Sequence, residues 1–322
     1  MHLSMKVISL LAGVIAVIAP AGMAHAQTWL PSRGEGTVSV LFSNTMSQDH
    51  YLPDQRYDFG QINANTLLFD LTYGLTDRLT VTVGMPVVAS RYLGSAPHRP
   101  VTLDDGAWHV TGQDVRFGVR YNALDGPMVV TTFAGTSVPS TDYEYYAHAA
   151  PGRQLAEAVV GLSAGHLFAE QGIVLQGSYG FTFSESELDI PRRFSLLSLE
   201  TAYFVTPALR LMAITSSRLG HTGIQLTPTS GRDLPPEVFL HHDQISRESY
   251  LNVGGGAAFS LSDSIDLFGG FTTTVWGRNT HAVNRGLSLG MAWGFGRAGA
   301  PAATVAARRE SALIKCLCQK AS

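Results

Sequence analysis

The amino-acid sequence predicts an all-β fold, a transmembrane antiparallel up-and-down β-barrel of about 12 strands. Three observations predict it: an export signal at the start, side chains that alternate between apolar and small or polar, and connections that alternate between short and long. The composition agrees, because only 15% of the residues are charged, whereas soluble domains carry about 25%. A barrel needs few charges, since half of its strand side chains face lipid.

Residues 1–26 have the three-part layout of a secretory signal peptide. A positively charged start precedes an apolar run over residues 7–19, and a small-x-small cleavage site ends at Ala26. Pro20 interrupts the run before it reaches the roughly 20 apolar residues that span a bilayer. We therefore expect this segment to be cleaved during export, which leaves residues 27–296 for the barrel.

Residues 297–322 follow the last predicted strand as an Ala-rich, basic tail. We expect a disordered periplasmic tail, because such a composition specifies little structure. Both cysteines of the chain, Cys316 and Cys318, lie in this tail, where two thiols one residue apart cannot staple a core. The net charge of −3 gives no basis for a nucleic-acid partner.

Side chains leave a β-strand on opposite faces, so the wall of a barrel alternates lipid-facing and lumen-facing residues. The same period of two recurs at residues 37–43, 66–73, 79–87, 114–121, 197–203 and 251–259. The register of residues 128–138 is ambiguous. In the final strand, large apolar side chains alternate with small ones: Leu287, Leu289, Met291, Trp293 and Phe295 against Ser288, Gly290, Ala292 and Gly294.

The connections between these segments follow a long–short rhythm. Barrels of this class pair short periplasmic turns with longer extracellular loops, so the rhythm predicts twelve strands and two periplasmic termini. A secreted β-sandwich is the alternative, but it has no reason to sort its connections by length. Short turns are expected at residues 74–77, 123–127, 169–172, 206–207 and 262–264, and long polar loops at 46–60, 91–112, 139–154, 184–193, 218–247 and 277–285.

Aromatic residues gather near the predicted strand ends, as the interfacial girdle of a membrane barrel requires. This placement favours the barrel over the sandwich. The residues are Tyr73, Tyr121, Tyr203, Trp276 and Trp293.

Several short motifs resemble the outer-membrane proteins grouped as the meta-pathway of phenol degradation family. The resemblance covers most of residues 36–295, and it implies a transporter-like barrel that takes up aromatic or other hydrophobic compounds. The motifs are the hairpin at residues 73–86, the strand at 117–121 and the late hairpin at 252–267.

Charged and polar residues fall on the face opposite the apolar face. A charge at mid-depth on the lipid face costs about 2–4 kcal/mol, so we assign these side chains to the lumen. They predict a polar constriction that selects solutes, or a set of structural ion pairs that plugs the barrel. The set comprises Asp70, Asp114, Arg116, Arg120, Glu157, Glu200, Arg210 and Asp266, together with Gln176 and Asn252.

Two patterns raise the question of chemistry. Residues 161–165 match a nucleophile elbow, but that motif works on a strand–turn–helix, and here it lies within a segment of period two. Eight histidines fall in the expected outer half, and only His241, His242 and Asp243 cluster in sequence. Adjacent side chains diverge, so these three are weak metal candidates. We predict no enzyme activity, no metal and no cofactor.

The sequence therefore predicts an outer-membrane channel or facilitator for small solutes with a narrow polar lumen. A structural or partner-binding barrel is the alternative, and an outer-membrane hydrolase is the third hypothesis. The expected partners are outer-membrane lipid, lipopolysaccharide, the barrel-assembly machinery and a small-molecule solute.

Overall fold

The computed structural model of the chain describes residues 28–94 and 103–296. The predicted signal peptide, the tail over residues 297–322 with both cysteines, and His98 lie outside the described residues.

Within that part of the chain, thirteen strands follow one another, and every neighbouring pair is antiparallel. They are β1 (Gly36–Tyr51), β2 (Arg56–Thr76), β3 (Leu79–Leu93), β4 (His109–Gly112), β5 (Val115–Leu124), β6 (Met128–Val138), β7 (Glu157–Phe168), β8 (Ile173–Glu187), β9 (Ile190–Phe204), β10 (Leu209–Gly220), β11 (Ser249–Ser262), β12 (Ile265–Arg278) and β13 (Thr280–Phe295).

The sheet closes on itself. β1 pairs with both β2 and β13, and β2 also pairs with β3. The short β4 and the longer β5 both pair with β3, so they form one strand of the wall with an interruption at Gln113 and Asp114. The wall therefore has twelve strands, and the predicted antiparallel barrel of the outer-membrane type is confirmed.

The alternation of side chains also follows the prediction. Leu289 in β13 is 65% exposed on the outer face, while its neighbour Gly290 is buried. All five predicted girdle aromatics are exposed, as a lipid-facing surface requires. In β6, the ambiguous strand, Phe133 is half-buried and lines the lumen, whereas Thr132 is exposed on the outer face.

The two ends of the barrel differ in their connections. All five expected short turns lie at one end, which we call the turn end. At the opposite loop end, residues 139–156 and 221–248 form long loops, and residues 103–108 lead into β4. The 221–248 loop contains three short helices, α1 (Ser230–Asp233), α2 (Pro236–Leu240) and α3 (His242–Ile245). No helix among the described residues is long and apolar enough to cross a membrane.

Three of the six expected long loops are instead tight turns at the tips of extended hairpins. β8 and β9 are joined by Leu188 and Asp189, both with positive φ, and β12 and β13 are joined by Asn279 at φ 49°. Asn and Asp tolerate this left-handed conformation. The flanking polar residues remain strand because cross-strand hydrogen bonds continue beyond the apolar band, so polarity alone misplaced the loop boundaries.

The orientation of the barrel, with both termini in the periplasm, remains a prediction. Arg232 lies in α1 at the loop end, and 79% of its side chain is exposed. We expect trypsin added to intact cells to cut after Arg232, and Arg232→Gln should abolish that cut while the barrel still assembles. If trypsin cuts after Arg232 only once the cells are opened, the loop end faces the periplasm and the predicted orientation is wrong.

Candidate functional site

The lumen holds a cavity of about 710 Å³ that reaches the inner faces of most strands. Small residues such as Gly84, Gly118, Gly135 and Ser198 supply much of its wall and leave room for solvent or solute. Six of the predicted lumen residues line it: Asp70, Asp114, Arg116, Arg120, Glu157 and Glu200.

Opposite charges meet in the wall formed by β2, β3 and β5. Arg116 Nη2 lies 3.1 Å from Asp70 Oδ1, and Asp70 also faces the charge of Arg120. Gly84 stands between them on β3, where a Cβ atom would overlap the Asp70 carboxylate, so glycine gives that carboxylate its space. The Asp70 carboxylate therefore interacts with two guanidinium groups on this side of the lumen.

The remaining predicted pair lies near the turn end, outside the cavity wall. Arg210 Nη2 is 3.5 Å from Asp266 Oδ2, across the face of β10, β11 and β12. Ser260 donates a further hydrogen bond of 2.6 Å to Asp266 Oδ1. These contacts give Arg210 and Asp266 a structural part in bracing the wall.

A segment before β1 crosses the lumen at the turn end, which the sequence did not predict. Thr28 accepts a hydrogen bond of 2.7 Å from Thr131 Oγ1 on β6, and its backbone N–H faces Gln176 on β8. On the far side of the barrel, Gly34 donates to the Gly74 carbonyl at the end of β2. The chain therefore spans the mouth from β8 to β2.

Trp29 anchors this crossing segment, residues 28–34. Its side chain is only 6% exposed, and it packs on the inner faces of β6, β8 and β9 at Val129, Val174 and Ala202. Gly165 on β7 makes room, because a Cβ atom there would lie 2.6 Å from the indole ring. In the sequence, the signal for this segment was the apolar pair Trp29-Leu30, which lies outside every stretch of alternating polarity.

The 139–156 loop folds back into the mouth at the loop end. Tyr143 donates a hydrogen bond of 2.5 Å to Asp114, and burial together with that carboxylate raises the pKa of Tyr143. Asp104 accepts hydrogen bonds from the backbone N–H groups of His148 (3.1 Å) and Ala149 (3.0 Å). The loop is therefore held against the wall by its own buried polar contacts.

Three arginines meet one carboxylate where the long loops reach the lumen. Arg153 forms an ion pair with Glu248 Oε2, Arg218 Nη1 lies 2.7 Å from that atom, and Arg192 Nη2 lies 3.6 Å from it. Burial opposes ionisation of Glu248, but the arginines more than offset it and hold the pKa of Glu248 well below its usual range. We call this group the arginine cluster.

Histidines also gather at the loop end, but not as the sequence indicated. The rings of His50 and His281 are 4.0 Å apart, and His148 lies 5.5 Å from His281. Asp243 faces them; burial opposes its ionisation, but the nearby histidines offset this and hold its pKa below the usual range.

Of the predicted metal candidates, His242 and Asp243 stay in contact, whereas His241 packs elsewhere. His241 stacks on Tyr145, whereas His242 stacks on Phe239 and lies 3.5 Å from Asp243. Across residues 28–94 and 103–296, no three His, Cys, Asp or Glu side chains are arranged to hold a metal ion.

Two serine–histidine arrangements bear on the hydrolase hypothesis. Ser163 of the elbow-like motif lies within β7, 3% exposed, and His166 bonds to the Pro127 carbonyl instead. Ser195 Oγ is 2.8 Å from His221 Nε2, a contact the sequence did not predict. However, Ser195 is 3% exposed, and no carboxylate among the described residues orients His221. A nucleophile needs both access and an oriented base, so neither arrangement favours hydrolysis.

Comparisons with known proteins bear on the fold. No family model and no curated protein matches the chain. Among solved structures, an outer membrane channel from Pseudomonas putida F1 is 13% identical, with a TM-score of 0.65; the match covers 86% of this chain and 100% of that chain. The NanC porin is 8% identical with a TM-score of 0.47, covering 80% of this chain and 98% of that chain. The first likeness supports the fold of an outer-membrane barrel.

Proposed function

We propose that this protein is an outer-membrane channel that lets small solutes cross through a narrow polar lumen. The observation that carries the proposal is the cavity of about 710 Å³ inside a closed twelve-strand wall. Barrels of about eight strands are filled by side chains, and those of 16–18 strands hold wide aqueous channels. A twelve-strand barrel with a cavity of this size fits an intermediate, selective passage.

The charges of the wall support selection rather than a solid plug. Arg116 and Asp70 are each partly exposed, with 26% and 28% of their side chains accessible, so the pair faces the cavity and leaves space beside it. Rings and rows of fixed charge select among solutes in other channels. Structural ion pairs alone would not require the surrounding glycine and serine residues.

The class of solute belongs to the same proposal. The cavity wall also contains apolar side chains, among them Leu68, Val88, Phe133 and Leu155. These fit the aromatic or otherwise hydrophobic compounds that the resemblance to the phenol-degradation family implies. We also propose that the barrel-assembly machinery inserts the protein into the outer membrane. Its surface contacts lipopolysaccharide there, and both of its termini lie in the periplasm.

Conductance in a planar lipid bilayer tests the channel function. Purified, folded protein should give discrete single-channel steps in KCl, because the polar cavity in the lumen offers ions a path through the barrel. Heat-denatured protein is the matched control and should give none. A folded barrel without conductance would leave the structural, partner-binding alternative in place.

The charges on β2 and β5 make a more specific prediction. Replacing both Arg116 and Arg120 with alanine leaves Asp70 without its guanidinium partners, so selectivity should shift toward cations. Asp70→Asn should shift it toward anions, and reversal potentials in asymmetric KCl measure both. An unchanged reversal potential in the folded, conducting double variant would remove these arginines from the ion path.

A further inference from the structure

The arginine cluster has more hydrogen-bond donors than its carboxylate can accept. Arg192 is 3% exposed, and its Nη1 atom is buried without a hydrogen-bond partner among the described residues. The Nε atom of Arg218 is buried in the same way. Glu248 Oε1 already accepts from the Thr280 hydroxyl at 2.7 Å, so only Oε2 is shared by the arginines.

Other carboxylates do not complete the cluster. Glu157 faces Arg192 and Arg218, and Asp114 faces Arg153. Within residues 28–94 and 103–296, however, Glu248 is the one carboxylate in ion-pair contact with any of the three arginines. Burying guanidinium N–H groups without hydrogen-bond acceptors is costly. The unpaired guanidinium N–H groups therefore call for a further acceptor, and an anion supplies one.

The cavity around the arginine cluster indicates the chemistry of the rest of that anion. Arg153, Arg218 and Glu248 line the cavity, and so do Leu155 and Tyr250, whereas Arg192 lies outside the cavity lining. A cavity of about 710 Å³ lies within the range of about 300–1,000 Å³ that small-molecule sites occupy. The volume leaves room for an apolar body beside the charged group.

Neighbouring groups restrain the guanidinium groups of Arg218 and Arg153. The Arg218 guanidinium lies 4.1 Å from the centre of the Phe194 ring, and Arg153 Nε donates a hydrogen bond of 3.0 Å to the Asp243 carbonyl. Stacking and a second bond restrain both side chains before any ligand arrives. Preorganised guanidinium groups bind carboxylates through paired hydrogen bonds.

We propose that Arg153 and Arg218, supported by the charge of the buried Arg192, form a binding site for the carboxylate of a small organic acid with an apolar body. The acid would pause there on its way through the lumen, so the inference deepens the proposed channel function and rests on it. Glu248 holds the arginines together in the absence of ligand and competes with the ligand for their donors.

Benzoate is the probe, because it joins one carboxylate to a compact apolar ring. Titration calorimetry on the folded protein in detergent should show saturable binding of benzoate. Benzyl alcohol, which has the ring without the charge, should bind far more weakly. The mobility of unheated samples on a denaturing gel reports whether each variant is folded.

Variants separate ligand binding from a purely structural role. Arg218→Gln should weaken benzoate binding about tenfold or more, since a hydrogen bond to a charged group is lost. Arg153→Gln should weaken benzoate binding as well. Because Arg153 lies in a loop, this variant still tests the site if Arg218→Gln, on β10, fails to fold. Glu248→Gln should tighten binding, because it removes the competing carboxylate. Arg232→Gln, far out on α1, should leave the affinity unchanged.

Conductance measurements distinguish failure of the channel proposal from failure of the proposed carboxylate-binding site. A protein that conducts KCl but shows no saturable benzoate binding keeps its channel function and overturns the arginine site. A protein that binds benzoate without conducting keeps the site and overturns the channel. Equal benzoate affinity in wild type, Arg218→Gln and Arg153→Gln would make the cluster a structural staple between the loops and the wall.

Discussion

Replacing Phe69 with arginine is expected to prevent most of the protein from assembling in the membrane. Phe69 lies in the middle of β2, 45% exposed on the outer face, where lipid surrounds it. An arginine at mid-depth on the lipid face costs about 2–4 kcal/mol. That is a large fraction of the free energy of folding of a typical domain, about 5–15 kcal/mol.

The matched control for Phe69→Arg is Thr66→Arg on the same strand. Thr66 lines the cavity, so the new guanidinium has water or polar groups available and should be tolerated. The folded fraction of outer-membrane extracts, measured by gel mobility before and after heating, compares the two variants. Equal assembly of both would contradict the assignment of faces on β2.

Removing the side chain of Trp29 is expected to raise single-channel conductance severalfold. The indole lies 6% exposed across the turn end of the lumen, packed on Val129, Val174 and Ala202. In Trp29→Ala the crossing segment loses its anchor on β6, β8 and β9, so the mouth should widen or open intermittently. Single-channel recordings in KCl measure the change.

Trp293→Ala is the control for a lost tryptophan. Trp293 is 50% exposed on the outer face of β13, so its removal should change the contact with lipid and leave the lumen unchanged. Unaltered conductance in folded Trp29→Ala would show that the crossing segment does not limit ion flow. In that event, the loop end of the lumen would be the narrower part.

The sequence alone established the wall of the barrel. A period of two in side-chain polarity depends only on neighbouring residues, because successive side chains of a strand point to opposite faces. Segments such as residues 66–73 therefore revealed both the strand and its lipid-facing side. The five short turns were equally local, and with them the number of strands followed.

Loop boundaries were less predictable, and the reason is physical. Polarity marks the edge of the lipid layer, whereas a strand ends where cross-strand hydrogen bonding ends. β1 and β2 stay paired as far as Tyr51 and Arg56, well into a polar stretch that the sequence indicated as a loop. Only the pairing of two distant segments decides such an end.

The interior of the lumen was decided by the tertiary structure. Alternation assigned Asp70 and Arg116 to the inner face, but their 3.1 Å contact depends on the register of three strands. Glu248 gathers Arg153, Arg192 and Arg218 from one loop and two strands. Trp29 packs on strands that lie 100 or more residues later in the chain. No local pattern encodes such contacts, because closing the barrel is what brings these residues together.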